Sequence, residues 1–147
     1  MFVRTTLYRR EDEFYPGPHV EGYAWEEVNR AEDGKQGGGI GAMFRTDGSI
    51  SKWEGLNPHS ERLWMVYNTG RTKLAFCAIY LAVKPYRGIQ ATEINEEILN
   101  SVSEEMVHLQ TQGYTVSLCG DFNSWLGNSG EFGIPGNRDH INENGLL

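Results

Sequence analysis

Between residues 73 and 120 the hydrophobic period of the chain changes from two to 3.6 and back to two, and this change constrains the fold more than any other feature. Residues 73–81 read as a strand. Its segment Ala75-Phe76-Cys77-Ala78-Ile79 is apolar on both faces, so the strand is expected to be central and covered on both sides. Pro85 and Gly88 then break the chain. Ile94, Ile98, Val102, Met106 and Leu109 recur every three or four residues, which predicts an amphipathic helix over 92–112. Thr92 is the expected N-cap and Gly113 the stop, with Glu96, Glu97, Glu104 and Glu105 mostly off the apolar stripe. From Tyr114 to Cys119 the residues alternate Tyr/Thr, Val/Ser, Leu/Cys, which predicts a second strand over 114–120. Strand, helix, strand in that order implies a right-handed crossover, with both carboxyl ends on one edge. If the strands pair directly they lie about 4.8 Å apart.

That edge gathers three chemically useful side chains. Tyr80 ends the first strand and Asp121 the second, with Asn123 two residues on. Gly120 lets the backbone turn without a Cβ clash. Open α/β sheets place their sites at the carboxyl ends of strands. There an Asp can orient or deprotonate a water, and an Asn can donate to a phosphoryl oxygen without adding negative charge. The plainer reading is that Asp-Phe-Asn is only a turn, since Asp and Asn are common turn formers.

The rest of the chain frames this unit. Residues up to 37 are polar and expected to be irregular, with Pro16 and Pro18 excluding regular structure nearby. Residues 38–45 read as a short strand entered through glycines. Residues 62–68 form another, joined to 73–81 by the hairpin-length Thr69-Gly70-Arg71-Thr72. With 147 residues, 39% hydrophobic, the chain suits one globular domain over 1–147. No segment approaches the ~20 apolar residues that span a bilayer, so no membrane partner is expected. The start, Met1-Phe2-Val3-Arg4-Thr5-Thr6, has no apolar signal region, and an intracellular place, cytoplasmic or nuclear, is expected. Cys77 and Cys119 both fall in strands expected to be buried and read as small core residues rather than a disulfide framework. No His/Cys/Asp/Glu spacing fits a structural zinc, and His19, His59 and His108 read as surface or helix-end residues.

Ile79-Tyr80 at a strand end, an amphipathic helix, then Leu118-Cys119-Gly120-Asp121-Phe122-Asn123 resemble the endonuclease/exonuclease/phosphatase superfamily. Within it the chain is most similar to the apurinic-endonuclease-like domain of non-LTR retrotransposons, usually fused to a reverse transcriptase. Gly22-Tyr23-Ala24-Trp25, the run Gly37-Gly38-Gly39-Ile40-Gly41, Gly136-Asn137 and Asn142-Glu143-Asn144-Gly145 extend the likeness from about Val20 to Leu147. The resemblance implies an α/β fold, an αββα sandwich of two mixed sheets, and phosphoester cleavage with Mg²⁺. It implies that Asp121 orients or activates the attacking water, Asn123 holds the scissile phosphate, and Tyr80 contacts that phosphate or stabilises its developing charge. Phosphoryl transfer depends mainly on positioning and charge neutralisation, which suits all three.

The departures are specific. The family's amino-terminal Asn has no counterpart. Its metal-ligating Glu opens a Glu-Thr-x-Leu stretch, and the nearest match is Arg4-Thr5-Thr6-Leu7, with Glu11 and Glu13 nearby. Its carboxyl-terminal Asp-His pair is not Asp139-His140, which sits inside the Gly-Asn…Asn-x-Asn-Gly tail. A net charge of −7 is unlike a free-standing nucleic-acid binder, so DNA binding is expected to be weak. The chain therefore reads as an incomplete, metal-dependent DNA endonuclease domain of the retrotransposon type, with feeble activity or none. Its metal ligands are unassigned and its oligomeric state is open. Two other readings stand beside it. One is a phosphatase on a small phosphorylated substrate that uses the same core. The other is a non-catalytic remnant acting through protein contacts.

Overall fold

The computed structural model describes residues 2–4, 19–28, 39–57, 61–83, 85 and 88–123. Over these residues the chain is mixed α/β, with two sheets and one helix. In order the elements are β1 (Phe2–Arg4), β2 (Tyr23–Val28), β3 (Ile40–Arg45), β4 (Ile50–Trp53), β5 (Arg62–Asn68), β6 (Lys73–Tyr80), α1 (Ala91–Thr111) and β7 (Thr115–Asp121). One sheet is antiparallel with strand order β1-β3-β2. The other runs β4-β5-β6-β7, antiparallel except for the parallel pair β6–β7.

Strand β6 explains the layering. Its successive side chains point to opposite faces, and both faces are apolar, as the sequence leads one to expect. Ala75, Cys77 and Ile79 pack with Trp64 of β5 and with Ile98, Val102 and Leu109 of α1. Ala78 faces the other way, into a second core with Leu63 and Met65 of β5 and Ile40, Ala42 and Phe44 of β3. The four-stranded sheet thus lies between the helix and the three-stranded sheet. The hairpin before β6 is tight: the Thr69 amide donates to the Thr72 carbonyl at 3.1 Å, and Gly70 supplies the positive φ of +80°.

Packing holds α1 more than capping does. Its N-cap is Gln90 rather than Thr92, with no side-chain cap bond. Ile98, Val102 and Leu109 are each buried, contributing about 1.5–3 kcal/mol apiece. At the other end Gly113, at φ +85°, turns the chain out of the helix as expected. The stripe itself differs from the expected one. It reads Asn95, Ile98, Val102, Glu105, Leu109, so Glu105 lies at the centre of the buried face rather than off it. Position 105 is three beyond Val102 and four before Leu109, which is helical core spacing whatever the residue type.

Three strands depart from the sequence reading. Residues 2–4 and 23–28 are strands inside a region expected to be irregular, and 50–53 is a strand where none was expected. All three lie at sheet ends among the described residues. An end strand pairs on one side only and tolerates charge, as Glu26 and Glu27 in β2 show. Cys119 is the other correction. Its strand β7 is largely exposed and Cys119 itself only half-buried, because β7 ends its sheet among the described residues. No helix among the described residues is long and apolar enough to cross a membrane.

Candidate active site

The crossover through α1 sets the rim. Parallel pairing puts Leu74 opposite Thr115 and runs without a break to Tyr80 opposite Asp121. The Leu81 amide donates to the Asp121 carbonyl at 2.9 Å, extending the ladder one step past Tyr80. Beyond it the chain turns through two side-chain bonds. The Asn123 amide donates to Asp121 Oδ1 at 3.0 Å, and Asn123 Nδ2 donates to the Leu81 carbonyl at 2.7 Å. Tyr80, Asp121 and Asn123 therefore share one rim, at the carboxyl ends of two adjacent strands.

The local sequence is built for this turn. Gly120 sits at φ +137°, and a Cβ there would overlap the backbone of Ile79 on the neighbouring strand. Glycine is required because the two backbones touch at that point. Phe122 turns to the helix-side core while Asp121 stays exposed. Asn123 holds φ +46°, the left-handed region that Asn tolerates better than other side chains. The turn chemistry of Asp-Phe-Asn is thus used. The carboxylate fixes the following amide N–H, and the carboxamide stitches the exit of β6 to the exit of β7.

Asn95 anchors the same exit from below. It is fully buried on α1, where it accepts from the Ala82 amide at 2.7 Å and donates to the Ala82 carbonyl at 2.9 Å. Leu81 and Ala82, the residues after Tyr80, are thus held by Asn123 on one side and Asn95 on the other. Sequence reasoning passed over Asn95, although an Asn four residues after the helix N-terminus and three before Ile98 signals a polar group on the buried face.

A second polar cluster, also unforeseen, ties α1 to β5. Arg62 Nε donates to Glu105 Oε2 at 2.7 Å and Arg62 Nη2 to Glu105 Oε1 at 2.6 Å. Their side chains are 2% and 0% exposed. Trp64 Nε1 donates to Oε2 at 2.7 Å, and the Leu56 amide donates to Oε1 at 2.7 Å. Arg62 also donates to the Asn57 carbonyl. One carboxylate thereby holds a β5 arginine, a β5 tryptophan and the loop between β4 and β5. Beside it the His108 ring stacks on Trp53, with centroids 5.8 Å apart and planes 5° from parallel.

Neither cysteine suits nucleophilic work. Burial pushes the Cys77 thiol well up, against the smaller opposing pull of Arg62, and burial also raises Cys119. Cys77 faces α1, whereas Cys119 belongs with the core between the sheets, so the two thiols lie on opposite faces. A metal centre is not formed by what is described either. Among the described residues no three His, Cys, Asp or Glu side chains come together to hold a metal ion. Mg²⁺ is typically fixed by one or two carboxylates in an oxygen shell, and here Asp121 offers one at the rim. Glu11, Glu13, Asp139 and His140 lie outside the described residues, as do the side chain of Arg4 and the glycine- and asparagine-rich tail.

Searches of family models, curated proteins and solved structures returned no match to this chain.

Proposed function

We propose that this chain carries the phosphoester-binding rim of an endonuclease/exonuclease/phosphatase-type αββα sandwich, and that the reaction it serves is hydrolysis of a DNA phosphodiester. The observation that supports this is the parallel register setting Tyr80 beside Asp121, with Asn123 bonded back across the same two strands. The Asp121 carboxylate is exposed at the rim, which suits orienting an attacking water or taking its proton. The Asn123 carboxamide lies in the same turn with Nδ2 donating to the Leu81 carbonyl, and an amide N–H is an uncharged donor of the kind that suits a phosphoryl oxygen. A divalent ion would supply charge neutralisation in such a reaction. The described residues do not make its shell.

The test is plasmid nicking in Mg²⁺ or Mn²⁺ by the wild-type chain and by Asp121→Asn. Loss of the proton acceptor at constant size should lower nicking about 10²-fold or more. Nicking that survives the substitution unchanged would place the activity elsewhere. The net charge of −7 favours a second substrate class, a small soluble phosphoester, over a polyanion. Hydrolysis of such an ester with plasmid DNA left intact would select that reading.

A further inference from the structure

One peptide unit links the rim to the buried face of the helix. β6 ends at Tyr80, and the unit that follows Leu81 joins the Leu81 carbonyl to the Ala82 amide. Its oxygen accepts from Asn123 Nδ2 at 2.7 Å, and its N–H donates to Asn95 Oδ1 at 2.7 Å. No peptide bond among the described residues is cis, and in a trans unit the C=O and the N–H point to opposite edges of the plane. Asn95 on α1 and Asn123 on the rim therefore grip one plane from its two edges. Asn95 takes a second hold on the same residue, since its Nδ2 donates to the Ala82 carbonyl at 2.9 Å.

The polarity of this arrangement is restrictive. The Leu81 carbonyl can only accept, so the nitrogen of the Asn123 carboxamide must face it. Ala82 offers one donor and one acceptor, which a carboxamide matches with its two ends and a carboxylate or an alkyl group does not. Read from the rim to the helix, every donor points the same way: Asn123 Nδ2 to the Leu81 carbonyl, the Ala82 amide to Asn95 Oδ1, and Asn95 Nδ2 to the Ala82 carbonyl. Amides bonded in series in one sense polarise one another. The base of the series is firm, because Asn95 is fully buried and Leu81 is buried with Ile98 in the core against which Phe122 packs. The backbone of Asn123 is fixed as well. Its amide donates to Asp121 Oδ1 at 3.0 Å, and its φ is +46°.

We propose that Asn95 is a positioning residue of the rim: by setting the Leu81–Ala82 plane, it aims the Asn123 carboxamide. With the Asn123 backbone held at Asp121 and one side-chain N–H held at Leu81, the direction of the second N–H of that planar group is set too. Rotation of the peptide plane would turn the carboxamide with it. A buried helix residue thus acts on the rim through the peptide between them. The inference rests on the hydrolase reading for what the carboxamide binds, and not for the relay itself.

The test uses the full chain isotopically labelled at the asparagine side-chain amides, with the Asn123 resonances assigned by their loss in Asn123→Ala. Asn95→Leu keeps the bulk and removes both bonds to Ala82. It should move the Asn123 side-chain resonances and leave those of Asn68, at the far end of β5, in place, with far-ultraviolet dichroism unchanged. Unmoved Asn123 resonances overturn the proposal. Should Asn95→Leu fail to fold, the coupling is read from the other end. Asn123→Ala should then move the Asn95 side-chain resonances, assigned by their contact with the Ala82 amide, and unmoved resonances overturn the proposal. In a plasmid-nicking assay Asn95→Leu should lower kcat/KM about tenfold in the wild-type background and less than about twofold in an Asn123→Ala background. Losses that multiply instead mean that Asn95 only supports the fold, and they overturn its positioning role. Absent nicking by the wild-type chain with the resonance shift intact refutes the hydrolase reading alone. Nicking with unmoved resonances refutes the role of Asn95 alone.

Discussion

Replacing Glu105 with alanine removes one side chain and strands several groups. The Arg62 guanidinium, 2% exposed, loses both of its bonds to the carboxylate, and the Trp64 indole and the Leu56 amide each lose an acceptor. Removing one partner of a buried ion pair costs about 3–5 kcal/mol. Each orphaned neutral donor adds up to about 1–3 kcal/mol, less whatever water recovers by entering the vacated space. A net loss of about 4 kcal/mol or more follows, against a total of roughly 5–15 kcal/mol for a typical domain. Urea unfolding followed by tryptophan fluorescence is the natural assay, since Trp53 and Trp64 pack edge to face beside the network. The midpoint should fall steeply with the slope unchanged. The sharper comparison is the double variant Arg62→Met/Glu105→Leu, which removes both charges and fills the space. It should recover the part of the loss that comes from the stranded arginine, because a buried pair contributes little net stability over well-packed apolar residues, while the Trp64 indole and the Leu56 amide still lack the carboxylate. A Glu105→Ala chain within about 1 kcal/mol of wild type would refute the claim that this carboxylate fastens helix, strand and loop.

Gly120→Ala should cost about 3 kcal/mol or more and melt at a markedly lower temperature, because the new Cβ meets the Ile79 backbone at a φ that side chains rarely adopt; a wild-type melting curve would contradict that contact. Burial raises the Cys77 thiol above its ordinary 9.0, so the folded state holds this proton more tightly than the unfolded state. Its stabilising contribution is complete below pH 9.0 and is lost as pH rises beyond it, by up to about 1.4 kcal/mol per pH unit. Cys77→Ala should flatten stability measured between pH 9 and 11 relative to wild type, and parallel curves would count against it. In the native chain a thiol reagent at pH 8 should modify the half-buried Cys119 well before Cys77, and oxidation should produce no Cys77–Cys119 bridge by mass spectrometry. Calorimetric titration with Mg²⁺ should show no saturable micromolar binding; such binding, lost in Asp121→Ala, would mean that residues outside the described set complete a shell around Asp121.

The strand–helix–strand unit was legible because β6 and α1 are strongly constrained and because β7, though it ends its sheet, still alternates in residue type. β6 is sandwiched between two cores, α1 packs along a continuous stripe, and burial of that kind writes itself into the order of residues. The rim followed, since two strand ends joined by a right-handed crossover have one shared edge. The end strands β1, β2 and β4 escaped because one-sided pairing leaves their composition nearly free. Polar groups escaped for a different reason. Glu105, Asn95 and Glu61 are buried, yet periodicity counts apolar residues and treats a charge as a mark of solvent. Glu105 sits at core spacing between Val102 and Leu109, so the position was readable even though the residue type argued against it. What no pattern could supply was the partner. Arg62 and Trp64 lie some forty residues earlier, and only the fold brings them to Glu105.

The parallel pair also sets an order of assembly. β5 and β6 are joined by a tight turn, and a hairpin of this kind closes within microseconds. β7 reaches β6 only after a loop of roughly forty residues has closed, a slower and more costly event. Until then the outer edge of Ala75–Ile79 offers unpaired backbone and apolar side chains to any neighbouring chain. Helix α1 is therefore more than a cover. If it packs on the face of β6 ahead of β7, it shortens the remaining search while the rim is still unmade. The rim of Tyr80 and Asp121 would then be among the last features to form, and among the first lost when the chain begins to unfold.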